Sequence, residues 1–428
     1  MIQECPTLSM LRRPLFSIIL ATYNRGRHLI PTIESVLQQT CSDFELLVVG
    51  DGCTDETEQV VRSFKSTNIR WINLATNQGS QSFPNNEGLS QARGRWICYL
   101  GHDDIWAPDH LERLAAVIES DKPDFAISGC IFHGPADSDV YYITGLFEHT
   151  DAARHHFFPP SSIAHRRKVI RRIGTWPDPH AIAMPVDVDL LLRAVRAGLR
   201  FASTGRITVH KFGAGHRYLS YLRPNADEQH AILASFDEDS EERVQRIIDT
   251  SKREGHFMAM QYSDDYAIYE KGQLFQSNRR SKGISLPPLQ PLTERTVIKQ
   301  SDDPRGLDWH QLEHGDRPFR WSGPNPRPKI LIPYTGHHAH IALQIVALAP
   351  DAKPQDLSIS AGNEPVTHTA KVDADGTLWL CFDASLNPSD YTVITLHTPL
   401  MFCPHNLNGS ADKRRLGLAV ADMILEPH

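Results

Sequence analysis

The sequence predicts an α/β protein in three parts. A mostly parallel sheet wound with helices spans residues 1–217, a helical connection spans 218–304, and an all-β sandwich spans 305–428. Three observations predict this. Strand and helix signals alternate through the first hundred residues. A polar, charged stretch follows residue 217. From about residue 305, short apolar runs recur between Pro, Asn, Asp and Gly.

The elements follow in order. "FSIIL" (16–20) is a continuous apolar run, as a strand covered on both faces requires. Residues 27–39 place Leu29, Ile30, Ile33, Val36 and Leu37 on one helical face. "FELLVV" (44–49) is a second strand. "TDETEQVVRSF" (54–64) opens a helix with Thr54 or Asp55 as N-cap and acidic residues in its first turn. "IRWINL" (69–74) and "RWICYL" (95–100) are the third and fourth strands. "PDHLERLAAVIES" (108–120) is a helix started by Pro108. "PDFAISGCIF" (123–132) contains a strand, "PPSSIAHRRKVIRRIGTW" (159–176) a basic helix, and "PVDVDLLLRAVRAGL" (185–199) a helix with Asp187 and Asp189 in its first turn. "RFASTGRITVHKFGAG" (200–215) gives a strand and a glycine-rich loop. Helices are expected at 226–236, 240–254 and 262–271.

Composition narrows the class. A formal net charge of -7 over 428 residues gives no basis for nucleic-acid binding. The seven cysteines form no C-x-x-C pair, and an odd, scattered set suits a reducing compartment. "PLFSIILA" is too short to span a bilayer and reads as a core strand rather than a leader. The expected location is cytoplasmic, open to peripheral contact with the inner face of the membrane.

In open α/β sheets, ligands bind beyond the carboxyl ends of the strands, near the point where strand order reverses. The polar loops there are "ATYNR" (21–25), "GDGCTD" (50–55), "ATNQGS" (75–80) and "GHDD" (101–104). Turn chemistry alone also favours such residues. Four in succession, ending in two adjacent carboxylates, point to a shared site. Adjacent carboxylates raise each other's pKa unless a cation relieves them. A hard divalent ion such as Mg²⁺ or Mn²⁺ does so while bridging to substrate phosphates.

The stretch "FSIILATYNRGRHLIPTIESVLQQTCSDFELLVVGDGCTDET" closely resembles the opening of family-2 glycosyltransferases, which have the Rossmann-like GT-A fold. The resemblance continues through "NQG", "NNEGLSQARGRWICYL", the aspartate pair and "PSSIAHRRKVIRRIG", and ends at "DVDLLLRAVRAGLRF" and a histidine after the last strand. It covers about residues 14–217. It implies an inverting transfer of a sugar from a nucleoside diphosphate to a hydroxyl of a glycan or lipid-linked glycan, as in bacterial surface-polysaccharide synthesis. Thr22, Tyr23 and Arg25 would line the nucleotide pocket. Asp51 would contact the base, and Asn77 of "NQG" would join the nucleotide-sugar site. Asp103 would face the ribose. Asp104 and His210 would ligate Mn²⁺ or Mg²⁺. Asp187 would be the general base, with Asp189 as rival.

Several positions depart from the family pattern. Gly50 stands where the second loop usually has an aspartate, Asn85-Asn86 replace an arginine-asparagine, Gly101 and His102 replace the opening of D-x-D-D, and Val186 replaces a glutamate. These losses motivate a second reading, a non-catalytic glycan-binding protein with a degenerate transferase domain. A dehydrogenase or nucleotidyltransferase is disfavoured because no G-x-G-x-x-G follows the first strand.

Weaker signals remain. "HRRKVIRR" (165–172) could meet anionic lipid or be a solvated helix face. "HHAH" (337–340) is an unsupported metal candidate. The C-terminal part resembles accessory β-sandwiches of surface-polysaccharide transferases. It could bind glycan, mediate homo-oligomerisation or buttress the catalytic part. Trp309, Trp321 and Trp379 there are read mainly as core.

Overall fold

Seven consecutive apolar or small residues leave a strand nowhere to go but the middle of a sheet. Phe16–Thr22 (β1) meets that description, Phe44–Gly50 (β2) meets it everywhere but at Glu45, which accepts from Ser17 of β1, and the two lie side by side, almost wholly buried. The computed structural model describes residues 13–428 apart from 137, 139, 149–155, 218, 219, 222, 238, 239, 261–268, 282–287, 300–305, 307, 311, 324 and 413. The helix expected at 262–271 falls largely outside the described residues. The described residues of Met1–His133, Tyr141–Phe212 and Pro224–Gln276 form one compact unit. Those of Gly134–Val140, Gly213–Arg223 and Ser277–His428 form a second.

The first unit is built on one nine-stranded sheet. Its remaining strands are Ile69–Asn73 (β3), Trp96–Gly101 (β4), Ile105–Trp106 (β5), Phe125–His133 (β6), Tyr141–Thr144 (β7), Ile163–Arg166 (β8) and Phe201–Phe212 (β9). The order is β3-β2-β1-β4-β8-β6-β9-β5, with β7 on β6. The first four strands are parallel. β8 runs antiparallel to both β4 and β6, and β9 is parallel to β6. The chain moves outward from β1 to β2 and β3, then returns across β1 to β4. The switch point therefore lies between the carboxyl ends of β1 and β4, where Ala21 pairs with Gly101.

Alternation divides the core between the two faces of the sheet. Phe16, Ile18 and Leu20 of β1 pack with Leu46, Val48, Trp96, Cys98 and Leu100. Ile30–Leu37 (α1) and, further on, His110–Asp121 (α4) cover that face with Ile33, Val36, Leu111 and Leu114. Ile19, Leu47, Val49, Ile97 and Tyr99 face the other way. Thr57–Ser63 (α2) follows β2, and Ser82–Gln91 (α3) precedes β4. Val186–Arg196 (α6) buries Leu190, Leu191 and Ala194 against the second face. Asp227–Ala234 (α7) and Ser240–Arg253 (α8) also belong to this unit, where Ile247 packs on Ile131 and Ile143.

The expected basic helix at 159–176 is mostly something else. Its residues form β8, a 3₁₀ turn at Arg167–Val169 and a single helical turn, Ile170–Ile173 (α5). Two arginines are used internally. Arg166 Nε donates to the Pro123 carbonyl at 2.7 Å and its guanidinium lies over Trp96, while Arg167 donates to the Ala92 carbonyl at 2.9 Å.

The expectation of an all-β sandwich over 305–428 fails. Two antiparallel sheets do form. One places Leu418–Pro427 beside His338–Leu348, and the other centres on Thr392–His397. Gln273–Ser281 (α9) precedes this region, and within it stand a helix at Pro404–Asn408 (α10) and a 3₁₀ turn at Pro354–Asp356, so it is mixed α/β. α10 has a local cause that strand counting overlooks. Pro404 presets its first turn, and Gly409 ends it in the left-handed region at φ 73°. Among the tryptophans, Trp309 joins the hydrophobic core and donates to the Lys329 carbonyl at 2.8 Å. Trp321 packs edge-on to Phe402, and Trp379 donates to Asp373. His338 and His340 lie on one face of their strand, beside Ser385 and Asp383. Among the described residues no helix is long and apolar enough to cross a membrane.

Candidate active site

The switch point sets the position of the loops after β1 and β4. Asn24 at φ 45° turns the first loop sharply and ties it to the loop after β2. Its side-chain carbonyl accepts from Thr54 N at 2.9 Å. Thr57 Oγ1 accepts from the backbone N–H groups of Arg25 and Gly26, at 3.1 and 2.9 Å. Thr22 is buried, Tyr23 is 38% exposed, and Arg25 is 5% exposed. Arg25 Nη2 lies 2.7 Å from His102 Nε2, so the loop after β1 closes onto the loop after β4. His102 had no role in the sequence reading. A guanidinium can only donate, so this contact requires an unprotonated Nε2.

Asp51 and Asn77 come together, but Asp51 is turned inward. Its carboxylate accepts from the backbone N–H groups of Gln78 at 3.0 Å and Gly79 at 2.8 Å, and from Asn77 Nδ2 at 3.1 Å. The aspartate expected at a nucleobase thus organises the loop after β3. Gly50 has a steric explanation. A Cβ there would lie 2.4 Å from Asn73 Oδ1 and 2.7 Å from the Trp71 ring. Asn73 itself pairs with both backbone groups of Cys53.

Asp103 is half-buried, and its carbonyl accepts from Gln229 of α7 at 3.0 Å. Asp104 is 0% exposed. Lys211 Nζ lies 3.1 Å from its Oδ2 and 3.4 Å from its Oδ1, and Ser161 Oγ donates to Oδ2. Ser161 in turn accepts from Gly101 N at 3.0 Å. Burial pushes the Asp104 carboxyl up, and Lys211 pulls it back. Burial opposes the Lys211 charge, but Asp104 and Asp103 outweigh it and hold the ammonium above its ordinary value. Lys211, Ser161 and Gln229 were not anticipated. The one available sign was a lysine beside His210 at the end of a core strand.

His210 does not meet Asp104. Neighbouring residues of a strand point to opposite faces, and Lys211 takes the Asp104 side. His210 Nδ1 lies 2.9 Å from His133 Nε2, and burial pushes the His210 pKa down to about 3. Among the described residues, no three His, Cys, Asp or Glu side chains form a group able to hold a metal ion. The donors at Asp104 are an ammonium and a hydroxyl, and they do not fit the expected Asp104–His210 pair of ligands.

Asp187 stands half-buried in the first turn of α6, near the positive end of the helix. Asp189 is engaged elsewhere. Its Oδ2 accepts from Arg193 Nε at 2.7 Å, and Arg193 also bonds the carbonyls of Ile173 and Thr175. Asn86 of α3 pairs with both backbone groups of Trp176, which stacks edge-on to Tyr99 of β4.

Residues 17–174 match the family described as glycosyl transferase family 2. An uncharacterized glycosyltransferase of Nostoc sp. is 32% identical over 174 residues, 37% of this chain and 52% of that protein. A PGL/p-HBAD biosynthesis glycosyltransferase of Mycobacterium bovis is 38% identical over 120 residues, 27% of this chain and 46% of that protein. The chain spans about half the length of the curated relatives it matches. The crystal structure of S. aureus TarS 1-349 aligns with a TM-score of 0.39 at 22% identity, covering 52% of this chain and 70% of that one. That likeness is too distant to bear on this chain's fold or chemistry. The family match and the curated relatives show that residues 17–174 are similar to glycosyltransferases.

Proposed function

We propose that the chain is an inverting transferase. It moves a sugar from a nucleoside diphosphate to a hydroxyl of a glycan or lipid-linked glycan during bacterial surface-polysaccharide synthesis, on the cytoplasmic side of the membrane. The observation that carries this reading is the Arg25–His102 contact at the switch point. It brings a buried guanidinium and the Asp103-Asp104 pair to the crevice where an α/β sheet takes its ligand. Thr22, Tyr23 and Asn77 border the same loops.

In this reading Asp187 accepts the proton of the acceptor hydroxyl as its oxygen attacks the anomeric carbon. The carbon–oxygen bond to the diphosphate breaks on the opposite side, and the diphosphate leaves with the electron pair. The configuration inverts. A positioned base contributes about 10²–10⁴-fold to such a step. Asp189, paired to Arg193, is left to hold α6 against the segment around Ile173. A divalent ion would supply charge neutralisation at the leaving diphosphate. Asp104 is already bonded to Lys211 and Ser161, and His210 is turned to His133, so these residues do not present its ligands.

One observation favours the rival glycan-binding reading: the Asp51 carboxylate is consumed by its own loops. Incubation with a panel of nucleotide sugars separates the two. Release of nucleoside diphosphate, with or without an added glycan, supports the transferase. Glycan binding with no turnover of any donor rejects it.

A further inference from the structure

We infer that the first unit carries a membrane-docking face on the edge of its sheet where β4 begins, suited to a bilayer rich in anionic phospholipid. Arg93 and Arg95 lie just before β4, Lys168 and Arg171 in the turns after β8, and Arg196 at the end of α6, and all are exposed. Hydrogen bonds bring these segments together. Arg167 N donates to the Arg95 carbonyl at 3.0 Å, and Arg167 Nη1 to the Ala92 carbonyl at 2.9 Å. Arg172 of α5 bonds the Ala197 carbonyl, next to Arg196. The inference goes beyond the transferase reading and does not depend on it.

The fold makes no use of these charges. Among the described residues, the side chains of Arg93, Arg95, Lys168, Arg171 and Arg196 take part in no hydrogen bond or ion pair. A charge with no protein partner stays in water, so these heads are hydrated. Exposed helix arginines elsewhere in the unit have partners four residues away: Arg62 with Glu58, Arg113 with Asp109, Arg246 with Glu242. The carboxylates bordering the patch are engaged. Glu45 accepts from Ser17 Oγ and Arg93 N, at 2.6 Å each, and pairs with Arg70. Asp124 Oδ2 accepts from Arg200 N at 3.1 Å. From Ser161 to Pro177 the sequence holds no acidic residue, on a chain of formal net charge -7. The patch also lies away from the donor crevice. Arg95 precedes β4, whereas Asp103 and Asp104 follow it, and Arg196 ends α6, whereas Asp187 stands in its first turn. Its charge therefore does not serve a donor diphosphate. Cations spread over three segments suit an extended anionic surface better than a single phosphate. Basic side chains near such a surface each add to the attraction without an apolar anchor. Arg166 and Arg167 are spent on carbonyls inside the unit and stand outside the docking set.

The test is co-sedimentation of the full chain with vesicles of phosphatidylcholine, alone or with about 30% phosphatidylglycerol, at about 0.05 M and about 0.5 M NaCl. The expected result is binding to the phosphatidylglycerol vesicles alone, lost at the higher salt. Arg95→Gln/Lys168→Gln/Arg171→Gln should weaken it about a hundredfold. The melting midpoint should not move, because these side chains hold nothing in the fold. Lys168→Gln by itself should weaken binding about fivefold, which decides the matter if the triple variant melts early. Arg113→Gln/Arg246→Gln/Arg253→Gln removes equal charge from paired arginines elsewhere in the unit and should bind as the unaltered chain does. No sedimentation with phosphatidylglycerol at low salt, equal binding to phosphatidylcholine, or the same affinity in both triple variants overturns the inference. Inorganic polyphosphate bound as tightly, per phosphate, as the vesicles also overturns it, by making the partner a soluble polyanion.

Discussion

Two carboxylates two residues apart in α6 have different neighbours, and this separates their consequences. Asp189 is bonded to Arg193, whereas the Asp187 carboxylate, in the first turn, accepts from the backbone N–H of Val188. Asp187→Asn should keep nucleotide-sugar binding and lower transfer by about 10²–10⁴-fold. Asp189→Asn should leave the transfer rate near normal and lower the thermal midpoint. Steady-state kinetics beside calorimetry distinguishes them, and near-normal turnover of Asp187→Asn rejects its role as base. Asp51 carries a different expectation. Removing its carboxylate breaks three charge-assisted hydrogen bonds, from Asn77, Gln78 and Gly79, so Asp51→Ala should destabilise the first unit by about 1–3 kcal/mol, read by denaturant titration. At this scale the sequence located the loops but not which way each side chain turns. An aspartate next to a glycine serves a ligand or its own backbone equally well until the neighbouring loop is in place. His102 and Lys211 were opaque for the same reason: their partners lie 77 and 107 residues away.

At the scale of elements, β1, β2 and β4 were legible because buried parallel strands are written as unbroken apolar runs. α1 and α4 were legible from their spacing. β8 was not, because a four-residue strand with "AHR" inside it looks like the start of a basic helix. Its neighbours explain the outcome: Ala164 pairs with Cys98 of β4 on one side and with Ala126 of β6 on the other. The change bears on membrane contact. Arg166 and Arg167 are bonded to carbonyls within the unit, so Arg166→Met should lower the melting midpoint while leaving sedimentation with anionic phosphatidylglycerol vesicles unaltered. A loss of vesicle binding without loss of stability would return these arginines to the surface role. β9 matters most for the site. Twelve residues long, it sets His210 and Lys211 on opposite faces, a consequence of strand alternation that the motif alignment did not weigh.

Over the whole molecule, two compact units predict that heating need not be a single transition. The first unit carries a pH dependence of its own. His110 is fully buried, stacks on Trp106 and bonds Thr208; His165 is fully buried and bonds Tyr99 and the Arg166 carbonyl. Burial pushes their pKa values down from 6.5 to about 3 and about 4. The unfolded chain therefore takes up protons first as pH falls. The stability these groups contribute is complete above about pH 6.5. Below that it falls by up to about 1.4 kcal/mol per pH unit for each histidine, until their folded values are reached. Differential scanning calorimetry between pH 7.5 and pH 5.5 should thus show the first unit's transition moving down with acid. His165→Gln keeps a polar side chain without the titration, and should remove that histidine's share of the slope even if it lowers the midpoint at pH 7.5. His110→Gln should do the same independently, because the two rings share no hydrogen-bond partner. A transition insensitive to pH over this range, or a slope unchanged in both variants, would mean that these imidazoles are not held neutral by burial.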